Sequence, residues 1–139
     1  MVQLIVGKKG KGKTKQLLDK VNSEIKEISG NIVYLDKSTK HMYELNNKVR
    51  LIDVSQCFIE NSDQFIGFVC GILSQDHDLQ QIYFDSFLKI ACLEGQDITS
   101  AIEKLERLSK NFDVKFILSI SMDEVELPNG LKEKVIISL

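Results

Sequence analysis

Two hydrophobic patterns alternate along the chain. Short runs dense in Val, Ile, Leu, Phe and Tyr occupy 2–6, 31–36, 49–54, 81–85 and 114–121. Their apolar character is nearly continuous, as strands of a sheet covered on both faces require. A final run, 134–139, is a candidate sixth strand. Because Pro128-Asn129-Gly130 reads as a turn, this run is expected to pair as a hairpin with the segment before it.

Between the runs, apolar residues recur at helical spacing. Leu17, Leu18, Val21, Ile25 and Ile28 predict a helix over 13–28, with Gly30 as its C-terminal cap. A second helix is expected over 64–73, behind the capping residues Asn61-Ser62-Asp63. Ile98, Ile102, Leu105 and Leu108 share one face of a third, over 98–111. A shorter helix over 87–93 ends before Gly95, and 39–47 reads as a loop with one helical turn. Strands alternating with helices predict a single α/β domain over 1–139. Its sheet should be mostly parallel, with five or six strands and helices on both faces.

The hollow such a sheet offers a ligand is given its chemistry by Gly7-Lys8-Lys9-Gly10-Lys11-Gly12-Lys13-Thr14, a full match to GxxxxGK[ST]. Gly7 and Gly12 permit backbone angles that a Cβ would forbid, so successive amides can turn toward one anion. Gly10 adds freedom at the tip. The loop runs into a helix N-terminus, whose free amides and dipole favour negative charge. Lys13 would reach the β and γ phosphates, and the Thr14 hydroxyl is a hard oxygen ligand for Mg²⁺. The pattern arises by chance in roughly one chain in 200 of this length, and the strand before it and helix after it narrow the odds further. Lys8, Lys9 and Lys11 hold variable positions, and their side chains read as solvated charges on the loop. The cofactor-contacting set extends to Lys15.

Gln81-Ile82-Tyr83-Phe84-Asp85 is an apolar strand ending in an acid, suited to hold Mg²⁺ opposite Thr14. Asp36 ends another strand and competes for that role; Asp53 is a weaker third candidate.

With these motifs the chain resembles the P-loop NTPase superfamily, in particular its RecA-like branch. The resemblance rests on GKKGKGKT, on NIVYLDKS after the first helix, on QIYFDSF and on VKFILSIS. It implies a parallel sheet in which the 114–121 strand lies between the strands 2–6 and 81–85. ATP and Mg²⁺ are the implied cofactors, with Thr14 and Asp85 at the metal and Lys13 and Asp85 as catalytic groups. Ser119 or Ser121 would meet the γ-phosphate, with Ser121 counted among the nucleotide contacts. The short length also resembles small bacterial proteins labelled twitching-motility ATPases. True motors of that kind carry a further domain and acidic and histidine motifs that this sequence does not show, so that function is not carried over.

One departure bears on turnover. Ser86 follows Asp85 and Lys37-Ser38 follow Asp36, where many members of this branch place a glutamate to orient water. Asp36 is the candidate base; Glu60 and Glu44 are guesses. Arg50 and Arg107 are the only arginines, so an arginine finger would come from one of them in a neighbouring subunit or from a protein partner. Hydrolysis is therefore expected to be weak or partner-activated, with a nucleotide-dependent switch as the working role. The rivals are a small-molecule or nucleoside kinase, which usually needs more arginines and a lid, and an interaction module that binds without turnover. No [NT]KxD guanine-reading motif is present, which favours ATP.

Composition excludes several other classes. Apolar residues make up 43% and charged residues 27%, as in ordinary globular domains. A net charge of −2, with no basic patch interleaved with aromatics, argues against a nucleic-acid partner or an anionic membrane. No stretch approaches the ~18 apolar residues of a membrane span, and the N-terminus has no basic leader, so a cytoplasmic protein is expected. Cys57, Cys70 and Cys92 are scattered and read as reduced, mostly buried hydrophobes. His77 between Asp76 and Asp78 reads as an exposed loop, and His41, without a partner, as a partly buried or surface histidine. The acidic stretch 121–126 is either a loop near the nucleotide or a solvated one. Phe65, Phe68, Val69 and Ile72 read as core.

Overall fold

The computed structural model describes residues 1–139. Six strands, β1 (Val2–Gly7), β2 (Asn31–Asp36), β3 (Arg50–Asp53), β4 (Leu79–Phe84), β5 (Lys115–Ser121) and β6 (Val135–Ser138), form one sheet in the order β3-β2-β4-β5-β1-β6. Every pairing is parallel. Four helices accompany them: α1 (Lys13–Glu24), α2 (Ser62–Gln75), α3 (Phe87–Ile90) and α4 (Thr99–Phe112). No helix is long and apolar enough to cross a membrane.

Alternation within the buried strands splits the core. Val2, Leu4 and Val6 of β1 join the larger cluster with residues of α2, α3 and α4. Ile5 faces the other way, into a smaller cluster with Leu17, Leu18 and Val21 of α1. The sheet is thus sandwiched, as the continuous apolar runs require. As the resemblance implied, β5 lies between β1 and β4.

Four local expectations are corrected. The C-terminal run makes no hairpin: β6 pairs parallel with β1, Leu4 opposite Val135. Leu127 and Leu131, each 3% exposed, anchor the connecting segment on the larger core and carry the chain back to the start of β1. Helix α1 stops at Glu24, with Ile25–Glu27 continuing only as turns. Gly30 is no left-handed cap; a Cβ there would stand 2.2 Å from the Asp78 carbonyl oxygen, so glycine is required by close packing. The cysteines are free but half-buried rather than mostly buried.

Aromatic packing fixes the end of β4. Phe84 meets Phe116 at 5.2 Å and Phe65 at 6.0 Å, and Phe87 meets Phe84 at 6.2 Å, all edge-on. On the opposite face Tyr83 stacks on Tyr34 at 6.3 Å. Such contacts add about 0.5–1.5 kcal/mol each beyond area burial. The residues either side of Asp85-Ser86 are therefore held from both faces of the sheet.

Candidate functional site

The C-terminal ends of β1, β2, β4 and β5 open on one cavity of about 670 Å³, lined by Lys9, Gly10, Gly12, Lys13, Thr14 and Asp85 among others. Crevices at this edge of parallel sheets are where such folds bind ligands.

The loop between β1 and α1 forms one wall. Gly12 caps the helix in the left-handed region at φ 98°, although nothing would crowd a Cβ there; the backbone angle alone favours glycine. The amides of Gly10, Gly12, Lys13, Thr14 and Lys15 donate to no carbonyl or side chain, the helical ladder beginning with Gln16 N–H to the Gly12 carbonyl at 3.2 Å. The first turn of α1 contains no acidic residue to compete for them. Free amides at a helix start favour an anion. Lys13 is 8% exposed, and its Nζ donates to the Lys8 carbonyl at 3.1 Å. Burial pushes its ammonium below the usual lysine range, and the negative charge of Asp85 partly offsets this.

Asp85 is the centre of the hydrogen bonding. Its Oδ1 accepts from the Thr14 and Ser119 hydroxyls, each at 3.1 Å, and its Oδ2 from the Tyr34 hydroxyl at 2.7 Å. Ser119 Oγ also accepts the Ser86 amide at 3.0 Å, where Ser86 takes φ 54°. Burial, then Asp85, raises the Tyr34 phenol well above its ordinary value, so the phenol stays a donor. Hard oxygens on Thr14 and Asp85 side by side are the donor set that suits Mg²⁺.

Asp36 lies beside this network at the end of β2 and is 2% exposed. Its Oδ1 accepts the Lys37 amide at 2.7 Å, whereas its Oδ2 is buried without a partner. Burial, then repulsion from Asp85, pushes its pKa up to about 6, against weaker opposing effects of the Lys37 amide and the His41 and Lys37 charges. The folded state therefore keeps a proton that the unfolded chain loses near pH 3.9. The associated stability is complete below pH 3.9 and is lost as pH rises to about 6. Asp36→Asn should remove that loss, since the amide carries no charge at any pH and does not repel Asp85. At pH 7.5 the variant is expected to be more stable than the parent by on the order of 1–3 kcal/mol, with equal stabilities near pH 4. Thermal unfolding at both pH values checks this; a less stable variant at pH 7.5 would refute it.

The other sequence candidates divide. Asp53 turns away and caps the segment after β3, accepting from Ser55 N at 3.0 Å. Lys9 lines the cavity, while Lys8 pairs with Asp123 at 3.4 Å and Lys15 with Asp19 at 3.0 Å. Gly7 sits beneath the loop, where its amide donates to the Met122 carbonyl at 2.9 Å, and Lys11 is exposed. Ser121 lines the cavity from an exposed position, and Ser119 is the serine bonded to Asp85. The acidic stretch beyond β5 lies next to the loop through the Lys8–Asp123 pair. Arg50, Arg107, Glu44 and Glu60 are exposed and do not line the cavity. His77 is exposed in the turn after α2, as expected.

Sequence reasoning missed Tyr34, Lys37, Lys40, His41 and Lys89, all of which bond to Asp85 or line the cavity. A tyrosine in a buried strand needs a polar partner, and that signal would have pointed to Tyr34. His41 is not without a partner: its Nδ1 lies 2.9 Å from Glu44 Oε1. No protein-family model matches the chain, and no match was found among curated proteins.

Proposed function

We propose that this protein is a P-loop NTPase of RecA-like type that binds MgATP between the Gly7–Thr14 loop and Asp85, with slow or partner-activated hydrolysis. The observation that carries the reading is the pairing of unbonded loop amides and a buried Lys13 with a Thr14 hydroxyl 3.1 Å from Asp85. The amides and Lys13 would take the β and γ phosphates; Thr14 and Asp85 would hold the magnesium that offsets their charge. Asp36, with its raised pKa and unpartnered oxygen, is the group nearest Asp85 suited to accept a proton from water. Both arginines lie outside the cavity, so neither supplies to its own cavity the charge that speeds phosphoryl transfer by ~10³-fold or more. That arrangement suits a switch whose state is read by the loops after Asp36 and Ser121, and whose turnover a protein partner or second subunit accelerates.

One observation keeps the kinase reading as an alternative. Lys37, Lys40 and Lys89 line the cavity beyond the loop and would neutralise a second phosphate-bearing substrate.

A titration with ATP, with and without Mg²⁺, tests the proposal. Binding is expected in the micromolar range and should tighten at least about tenfold with Mg²⁺, a difference of ~1.4 kcal/mol. A long incubation should then release phosphate slowly. Absence of ATP binding would overturn the proposal, and faster phosphate transfer to a nucleoside or metabolite would favour the kinase.

A further inference from the structure

Asp36, His41 and Asp85 form a cluster that phosphate binding does not explain. One ligand atom from each lies within 4.8 Å of the others. The first and last are buried carboxylates at the ends of adjacent parallel strands, while His41 comes over them from the loop after β2. Asp36 Oδ2 is fully enclosed with no hydrogen-bond partner, a costly state for a carboxylate oxygen that a cation would relieve.

The imidazole is prepared for the same role. His41 Nδ1 lies 2.9 Å from Glu44 Oε1. A carboxylate only accepts, so this contact places a proton on Nδ1, and in the neutral ring the Nε2 lone pair is left for a metal. A carboxylate behind the distal ring nitrogen is the outer-shell arrangement that orients metal-bound histidines. An ion with bonds of about 2.0–2.2 Å would draw the three atoms together by roughly 1 Å. His41 stands on a loop rather than in the sheet and can supply that movement.

We propose that Asp36, His41 and Asp85 bind a divalent transition metal in the absence of nucleotide, with the fourth position open to the cavity. The donor set decides the class of ion. Imidazole suits zinc and its first-row neighbours, whereas magnesium prefers oxygen and keeps its waters. Asp85 is shared with the proposed magnesium site, but this inference does not rest on ATP binding.

The test uses the nucleotide-free protein and zinc chloride, followed by competition with a chromophoric chelator. One zinc per chain is expected, with magnesium unable to displace it at a hundredfold excess. His41→Ala should weaken zinc binding at least about tenfold, and Glu44→Gln, which alters only an exposed residue behind the ring, by about tenfold. His77→Ala, on the separate turn after α2, should change nothing. Zinc binding that is absent, insensitive to both His41→Ala and Glu44→Gln, or lost in His77→Ala would overturn the proposal. Because no nucleotide is present, a failed ATP titration leaves this result standing, and a failed zinc titration leaves the ATP reading standing.

Discussion

Lys13→Ala should weaken ATP binding by at least about 100-fold, a loss of roughly 3 kcal/mol. Lys13 is nearly the only buried cation of the chain: it is 8% exposed, where the other lysines of the loop are exposed. Burial already disfavours its charge, as the lowered pKa shows, and in the free protein only the Lys8 carbonyl and the nearby Asp85 compensate. A triphosphate would add several negative oxygens at the same point. Charge-assisted bonds in partly desolvated sites contribute about 2–5 kcal/mol when one partner is removed. Substituting Lys9 or Lys11, whose side chains extend into solvent, should cost less than about 1 kcal/mol each. Titration calorimetry on the three variants separates these cases. Equal affinity in Lys13→Ala and the parent would remove the phosphate from this loop. A melting curve close to the parent's would show that the variant is folded.

Much of this arrangement was legible because its causes are local. Continuous apolar runs require a covered sheet, and β1, β2, β4 and β5 lie within two residues of where those runs stand. The GxxxxGK[ST] spacing fixed the loop-to-helix turn, and an acid ending an apolar run marked Asp85. What was misread depended on distant partners. Whether 134–139 pairs with the strand before it or with β1 is decided by where Leu127 and Leu131 bury, on a core that local pattern does not describe. Gly30 looks like a helix cap in sequence, but the Asp78 carbonyl approaching it across the fold is the constraint. The same holds at the site. Asp36 and Asp85 are far apart in sequence, and only the β2–β4 register places their strand ends together. His41 was read without a partner because 39–47 has no clear periodicity: one 3-10 turn brings Glu44, three residues on, to its ring, and Asp85 becomes its neighbour only when the loop after β2 folds over the sheet edge.

In the proposed ATP hydrolysis, the scarcity of arginine and the placement of Asp36 would bear together on rate. A carboxylate titrating near pH 6 is mostly ionised at neutral pH and able to take a proton, so the missing element is the positive charge at the leaving phosphate. Lys37, Lys40 and Lys89 surround the cavity but are single flexible point charges. On the proposed reading, a partner that inserts a guanidinium would have the largest rate effect still open to this site, and the loops after Asp36 and Ser121 form the rim it would meet.

Asp85→Asn should abolish the tightening of ATP binding by Mg²⁺ while leaving Mg²⁺-free binding within about threefold of the parent, ~0.65 kcal/mol. The argument is one of donors and acceptors. In the parent both carboxylate oxygens accept, from Thr14, Ser119 and Tyr34. An amide keeps one acceptor and replaces the other with two N–H donors. If the oxygen faces Thr14 and Ser119, the new NH₂ confronts the Tyr34 hydroxyl, a phenol held protonated and fully buried. If it faces Tyr34, the NH₂ confronts both serine-type hydroxyls. Either orientation leaves a buried donor poorly matched and costs about 1–3 kcal/mol of stability, about 3–10 °C in melting temperature for a domain of this size. The metal effect is separate: the amide carries no charge, and Thr14 alone is one neutral ligand for an ion that needs a carboxylate to offset its charge. Tyr34→Phe distinguishes the two, since it removes a hydrogen bond to Asp85 but keeps the carboxylate. It should lower stability by about 1 kcal/mol and preserve the Mg²⁺ dependence. A Mg²⁺ response that persists in Asp85→Asn would place the metal elsewhere, with Asp36 the next acid to replace.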